Sequence, residues 1–418
     1  MASYTKKDVR TSIRHLAPAW FAANMGTGSI SILFANYPYG NTTLPMQALS
    51  TVFFFLNLFL FVALTTASAY RYLRYPDIWR LMIHHPVQSL FLGCFPMGAA
   101  TLISVASGVL YTDFGFGGTP FLYFLWACWW LDSAISAACV FWLVHIMFTR
   151  HQHDIQKMTS LWLLPVVTFI VASATGGALL KPLHAVNPYH AHITLAVSLV
   201  MVAIGISLAL MILTLYLLRL IVHGLPEGAS ILSVFIPLGP TGQSGYSILL
   251  IAQAAPTIFP FAGSESRFLG SAEMGQIVFG VCVCTSLVLW SLATMWLVFA
   301  LVGLSSTLRR TQKGFPFKVP FWGMIFPNGV YANLTIQLYR VLDVEFFRVW
   351  GAMYAAATLC LWVVVFGKTV AMVRHGYVFE APCLEGIDLG TNIALAESSR
   401  RVVEQMAQET EDAAARKR

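Results

Sequence analysis

Apolar residues along this chain gather into long runs, separated by short stretches that hold most of the charge. A helix crossing the hydrocarbon of a bilayer needs about 20 mostly apolar residues. The pattern predicts ten, at 17–36, 46–70, 86–111, 118–149, 160–181, 191–223, 229–256, 275–304, 317–341 and 346–372. They are of two alternating kinds. The even-numbered ones are dense in Leu, Val, Phe and Trp. The odd-numbered ones carry Met25-Gly26-Thr27-Gly28-Ser29, Phe95-Pro96-Met97-Gly98, Leu164-Pro165 with Gly176-Gly177, Leu238-Gly239-Pro240-Thr241-Gly242-Gln243, and Phe326-Pro327-Asn328-Gly329. Proline and glycine are the residues a helix interior tolerates least. Irregular backbone survives at membrane depth only where protein buries it or a cavity wets it. The expected architecture is therefore an all-α polytopic membrane protein: five helical hairpins, each with one broken, pore-lining member, around a central axis.

Helical geometry then sorts the polar positions. At 3.6 residues per turn, Gly323, Phe326, Gly329, Asn333, Gln337 and Arg340 share one face of the ninth predicted helix, while Asn328 points the other way. In the first helix Asn24, Thr27, Gly28 and Ser31 share a face; in the fifth, Thr168, Ala172 and Thr175; in the seventh, Thr241 and Ser244, with Gln243 in the same glycine-rich segment. Polar groups at membrane depth face a bundle interior or an aqueous path. These stripes suit either a pathway or hydrogen bonds between packed helices. As a lining, their amides and hydroxyls suit an anion, since a cation path calls for carboxylates.

Composition and charge agree with the pattern. Hydrophobic residues make up 57% of the 418 and charged residues 10%, against about 25% charge in a soluble domain. The net charge of +7 is not spread evenly: sixteen Lys and Arg fall on one side of the alternating predicted loops and four on the other. The positive-inside rule then places both termini in the cytoplasm. Residues 1–16 read as a cytoplasmic amphipathic helix on the inner leaflet, with Val9, Ile13 and Leu16 on one face among Lys6, Lys7, Arg10 and Arg14. They lead into a run too rich in Asn, Thr and Gly for a signal core. Residues 17–374 are expected to form the ten-helix transmembrane domain. Residues 375–418 form a cytoplasmic tail whose Ala394–Arg418 run reads as a frayed helix or disordered. Asn41-Thr42-Thr43 is a glycosylation sequon in the first outward loop, whereas Asn333-Leu334-Thr335 lies within a span and is expected to stay unmodified.

Other chemistry is sparse. Asp132 is the main ionisable residue inside a span and is read as a structural hydrogen-bonding group rather than a proton relay. His151, His153 and Asp154, and separately His184, His190 and His192, read as solvated or interfacial rather than as metal ligands. The seven cysteines read as buried apolar side chains, Cys282 and Cys284 pointing to different sides of a helix. No metal site, phosphate loop or nucleophile with a paired base is found, so an enzyme is not expected. A sensor or receptor without transport would normally bring a larger ligand-binding or signalling domain.

Four elements together resemble the tellurite-resistance/dicarboxylate transporter family. They are Trp20-Phe21 before Met25-Gly26-Thr27-Gly28, Phe95-Pro96-Met97-Gly98, the segment from Leu238 to Gln243, and Phe321-Trp322-Gly323-Met324-Ile325-Phe326-Pro327. The family includes fungal sulfite efflux pumps, fungal malate permeases and plant guard-cell slow anion channels. The resemblance covers roughly residues 15–372 and is greatest to the sulfite pumps, although Asn328, Tyr331 and Asn333 look more like the malate permeases. It implies ten helices in five hairpins around a pore, commonly a trimer with one pore per subunit, and no cofactor. It also implies sulfite export across the plasma membrane and a phenylalanine plug at Phe326. Phe95 is a candidate second ring. The alternative substrate is malate or another C4 dicarboxylate, for which only Arg340 and Lys181 offer fixed cations.

Overall fold

Every regular element among the described residues is helical. The structure, a computed structural model, describes residues 9–261, 265–266, 268–311, 317–375, 379, 381 and 384. Lys6, Lys7, Cys383 and the Ala394–Arg418 run lie outside them. Seven helical stretches there are long and apolar enough to cross a membrane: Leu44–Arg74, Ser89–Asp113, Gly118–Thr149, Ser160–Val186, Pro188–His223, Glu273–Arg309 and Glu345–Arg374. The protein is thus multi-pass. Three of the ten predicted spans are not among the seven. Their helices are α2 (Phe21–Asn36), α10 (Leu238–Ile258) and α12 (Ile325–Leu342). The first has 16 residues, and the other two carry the Gly, Gln, Asn and Thr that made them conspicuous in sequence.

Those three join α5 (Cys94–Val105) and α8 (Leu164–Val186) to form the interior. The helices α2, α5, α8, α10 and α12 pack on one another in that order, and α12 closes back onto α2. Each also packs on the long helix that follows it. These partners are α3 (Leu44–Arg74), α6 (Gly118–Ala137, continued through a π-helical turn into α7, Val144–Thr149), α9 (Pro188–His223), α11 (Ala272–Thr311) and α13 (Glu345–His375). The most apolar window of the α8 stretch is 94% buried and that of α3 only 17%. Outward-facing Phe55, Phe59, Leu215, Ile221, Val288 and Val302 are exposed, as expected of a surface whose solvent is lipid tails.

The breaks fall at the helix starts. Short 3-10 segments at Pro18–Trp20, Ser89–Gly93, Ser160–Leu163, Gly228–Phe235 and Val319–Met324 run up to α2, α5, α8, α10 and α12. Pro96, Pro240 and Pro327 are third residues of their helices and Pro165 is a second residue. First-turn N–H groups have no intrahelical acceptor, so proline there forfeits no hydrogen bond. The sequence pattern counted each 3-10 entry as part of the span, which made a helix start look like an interruption.

Polar side chains tie the interior together. Asn24 Nδ2 donates to Asn57 Oδ1 at 2.6 Å and Asn57 Nδ2 to Thr101 Oγ1 at 3.0 Å, linking α2, α3 and α5. Trp129 Nε1 donates to the Ala172 carbonyl at 2.8 Å, and Ser173 meets Ser247 at 2.8 Å. In hydrocarbon each such bond contributes about 1 kcal/mol. Gly28 makes the α2–α3–α5 contact possible, since a Cβ there would lie 2.0 Å from Thr101 Oγ1.

At the face where these inner helices begin, segments near the start and the finish of the described residues are held by protein contacts. Buried Arg71 donates to the carbonyls of Arg14 (2.9 Å) and Leu16 (2.5 Å), fixing the exit of α1 (Val9–Arg14) against α3. Leu16 and Trp20 pack with Met372 and Phe379, and Phe379 stacks on Trp20 at 5.1 Å. A short amphipathic helix, α4 (Pro76–His84), buries Ile78 and Met82 against Ala381 and Leu384.

Candidate functional site

Two cavities lie among the five inner helices, and all five helices contribute to both. The larger, about 630 Å³, is lined by residues of the helix starts: Ala22 and Met25 of α2, Cys94 and Met97 of α5, Leu164 and Val167 of α8, Gly239 and Pro240 of α10, Phe326 and Pro327 of α12. The 3-10 segments and the loops before them complete it with Gln88, Phe91, Ser230, Ser233, Lys318 and Gly323. The smaller, about 20 Å³, is lined one or two turns further along by Ser29, Thr101, Ser104, Thr175, Gln243, Tyr246 and Asn333 among others. That is room for about one water. Phe326 lines both cavities and is 3% exposed. Phe326, in the first turn of α12, is the one described residue common to both linings.

The electrostatics follow from the helix directions. Five helices present their positive N-terminal ends to the larger cavity. Neither lining includes an Asp or Glu among the described residues, and the one Lys or Arg it includes is Lys318, at the larger cavity. The smaller cavity offers only hydroxyls and amides as polar side chains. This arrangement favours an anion over a cation, by dipoles and neutral donors rather than by fixed charge.

The predicted site residues divide. Thr175, Gln243 and Asn333 join Phe326 at the smaller cavity. Thr175 also meets Ser104 Oγ at 3.1 Å, and Asn333 Oδ1 accepts from Asn36 Nδ2 at 3.0 Å. Gly329 packs beside it: a Cβ there would fall 1.8 Å from Ser29 Oγ. Gln337 is bound to Gln253 at 2.8 Å, and Arg340, exposed at the far end of α12, donates to Asn36 Oδ1 at 3.1 Å. Neither lines a cavity.

The first-helix stripe lines neither cavity. Asn24 serves the tie to Asn57, Thr27 Oγ1 accepts from Trp362 Nε1 at 3.0 Å, Ser31 donates to the Ser50 carbonyl at 2.7 Å, and Gly28 fits against Thr101. Thr168 donates to the Pro165 carbonyl and Thr241 to the Pro237 carbonyl, both at 2.8 Å. Ser244 is fully buried without a partner. Phe95 packs in an aromatic cluster, 5.2 Å from both Phe21 and Phe61, and lines neither cavity. Asp132 is 3% exposed, and neither carboxyl oxygen has a hydrogen-bond partner, unlike the tie expected of it. His190 stacks on Trp126 and His192 on Phe261. Asn41 is half-buried in the turn between α2 and α3.

Several polar residues at the cavities had no site role in the sequence reading, among them Gln88, Ser230 and Ser233 at the larger and Ser29, Thr101, Ser104 and Tyr246 at the smaller. Ser29 belongs to the stripe Ala22, Met25, Ser29, Ile32, whose apolar start hid it. Gln88 sits in the loop before α5, where helical periodicity gives no signal.

Comparison with known proteins returns a family match and several relatives matched over most of their length. The family described as SLAC1, voltage-dependent anion channel, matches residues 15–370. The sulfite efflux pump of Arthroderma benhamiae is 34% identical over 365 residues, covering 87% of this chain and 92% of the relative. That of Trichophyton rubrum gives the same identity and coverage. The malic acid transport protein of Schizosaccharomyces pombe is 22% identical over 361 residues, covering 84% and 77%.

Proposed function

We propose that this chain, which belongs to the SLAC1 family of voltage-dependent anion channels, exports sulfite or bisulfite through a pore gated by Phe326. The family is one of membrane transporters and channels, not of enzymes. In the proposed arrangement ten helices cross the plasma membrane as five hairpins, with α2, α5, α8, α10 and α12 around the pore. The weaker spans α2, α10 and α12 are stabilised in the membrane by the outer helices rather than by their own hydropathy. The face bearing α1 is cytoplasmic, in keeping with the bias of Lys and Arg among the loops predicted from sequence, so the larger cavity is the inner vestibule. Asn41 then lies outside, available for glycosylation. The functional unit is a homotrimer with a pore in each subunit.

The observation that carries the reading is the position of Phe326, shared by two cavities without carboxylates. An anion entering the vestibule gives up water for the positive ends of five helices. It halts at the Phe326 ring, because the space beyond has room for about one water. Rotation of that one side chain joins the two cavities. The anion then meets the neutral donors of Ser29, Gln243 and Asn333. Neutral donors hold an anion weakly enough for it to leave.

Sulfite is favoured over malate by the charges as well as by the relatives. A C4 dicarboxylate calls for two fixed cations along its path. Arg340 is engaged by Asn36 and Lys181 is exposed on α8, and neither lines a cavity, which leaves Lys318 as the one fixed cation of the described linings where two are called for. The test is a parallel flux assay of the reconstituted protein with sulfite and malate, with a pH gradient imposed and then removed. Sulfite flux well above malate flux, surviving removal of the gradient, is expected. Malate flux exceeding sulfite flux would overturn the assignment.

A further inference from the structure

Gln88 is 4% exposed in the wall of the larger cavity, and neither its Nε2 nor its Oε1 has a hydrogen-bond partner. Only its backbone is engaged: the N–H donates to His85 Nδ1 at 3.2 Å, and the carbonyl accepts from Phe91 N at 3.2 Å. A buried amide without partners lowers stability. Elsewhere in the interior comparable amides are tied, Asn24 to Asn57 and Asn333 to Asn36. Both amide atoms are shielded although the residue lines a cavity where five helices also begin, so a turn of the side chain would bring an unspent donor and acceptor to a ligand there.

We propose that Gln88 is the first fixed contact for the transported anion in the inner vestibule, and that its amide selects an oxyanion that still carries a proton. This rests on the sulfite reading above. The amide offers a donor and an acceptor side by side. Hydrogen sulfite in its hydroxyl form matches both: an anionic oxygen accepts from Nε2–H, and the hydroxyl donates to Oε1. Fully ionised sulfite matches only the donor and sets a second negative charge near the Oε1 lone pairs. It also gives up more hydration, since the desolvation penalty of an ion grows with the square of its charge. Ala22, Met25, Phe91, Met97 and Leu164 of the same wall are apolar, and Lys318 is the one fixed cation of the described lining, a single charge against the two of ionised sulfite.

The test uses the full-length protein in liposomes, with sulfite offered from the α1 face. Total sulfite is held constant while pH is varied across the range in which hydrogen sulfite becomes sulfite. Wild-type flux is expected to follow the hydrogen sulfite fraction. Gln88→Leu is expected to raise the half-saturating concentration about tenfold, leave maximal flux within about a factor of two, and weaken the pH dependence. Its melting midpoint in detergent is expected to equal or exceed that of the wild type, because an unpaired buried amide has been removed. Gln88→Met serves as a second variant of similar volume should the branched side chain not fit. Sulfite flux with unchanged half-saturation in both variants would overturn the role of Gln88 and leave the transport reading standing. A lowered midpoint with unchanged pH dependence would reassign Gln88 to structure. No sulfite flux in the wild type would overturn both readings.

Discussion

Phe95 and Phe326 are each the second residue of an α-helix, each followed by proline at the third position and glycine two residues later. Yet Phe326 is common to the linings of two cavities, whereas Phe95 packs with Phe21 and Phe61 on the side of α3. The shared motif fixes how the helix begins. It does not fix which way the ring points, because the rotation of each helix about its own axis is set by its neighbours. The polar stripes teach the same thing. On α2, Asn24, Thr27 and Ser31 find partners in Asn57, Trp362 and Ser50 on surrounding helices. On α12, Asn333 turns to the smaller cavity. Asn333 is at the same time tied to Asn36, and Gln337 and Arg340 of its stripe are tied to Gln253 and Asn36. A polar stripe in a membrane helix can thus serve as a tie, or as tie and lining at once, and its spacing does not say which.

Substitutions can break this comparison in order of expected size. The largest effect is expected from Asn333→Asp, which sets a carboxylate beside the smaller cavity. Two like charges about 4 Å apart repel by about 4 kcal/mol at an effective dielectric near 20, so anion flux in liposomes should fall by at least roughly a hundredfold. Flux near the wild-type level would remove the smaller cavity from the path. Phe95→Ala is expected to lower stability by roughly 2–3 kcal/mol, because it empties part of an aromatic cluster, while flux stays within about a factor of two. A large rise in flux with little change in melting midpoint would make Phe95 a second gate after all.

Thr27→Val keeps the shape but removes the acceptor for Trp362 Nε1. The expected loss is about 1 kcal/mol, read as a lower melting midpoint with anion selectivity unchanged; altered selectivity would return the α2 stripe to the pathway. The smallest effect concerns His151, in the loop after α7, with Nε2 3.0 Å from the Ile83 carbonyl. Partial burial pushes its imidazole below the usual histidine range. The unfolded chain therefore binds the proton more readily, and stability present above the ordinary histidine value is lost as pH falls through the lowered folded one. A modest decline in melting midpoint on mild acidification is expected, flattened in His151→Gln; equal declines in both would place the titration elsewhere.

Much of the fold was legible because its cause is local. Long apolar runs report a membrane helix directly, and the alternation of smooth with Gly- and Pro-bearing runs separated outer from inner helices before any contact was known. Phe326, Gln243 and Asn333 were legible at the site because each is conspicuous within its own helix. Gln88 and Ser29 were not. One lies in a loop and the other behind two apolar positions, and both matter only through what the remaining helices leave unpaired. Helix rotation, which separated Asn24 from Ser29 and Phe95 from Phe326, is a property of the assembled ring and is not encoded in the spacing of one segment.

The most direct measurement is anion flux through a side-chain volume series, Phe to Leu, Val, Ala and Gly, made in parallel at positions 326 and 95 and measured in one liposome preparation. Flux is expected to climb as the side chain at 326 shrinks, reaching roughly tenfold or more above wild type at Ala, and to stay flat across the series at 95. Flat flux at 326 in well-folded protein, or a matching climb at 95, would contradict a single phenylalanine gate between the two cavities.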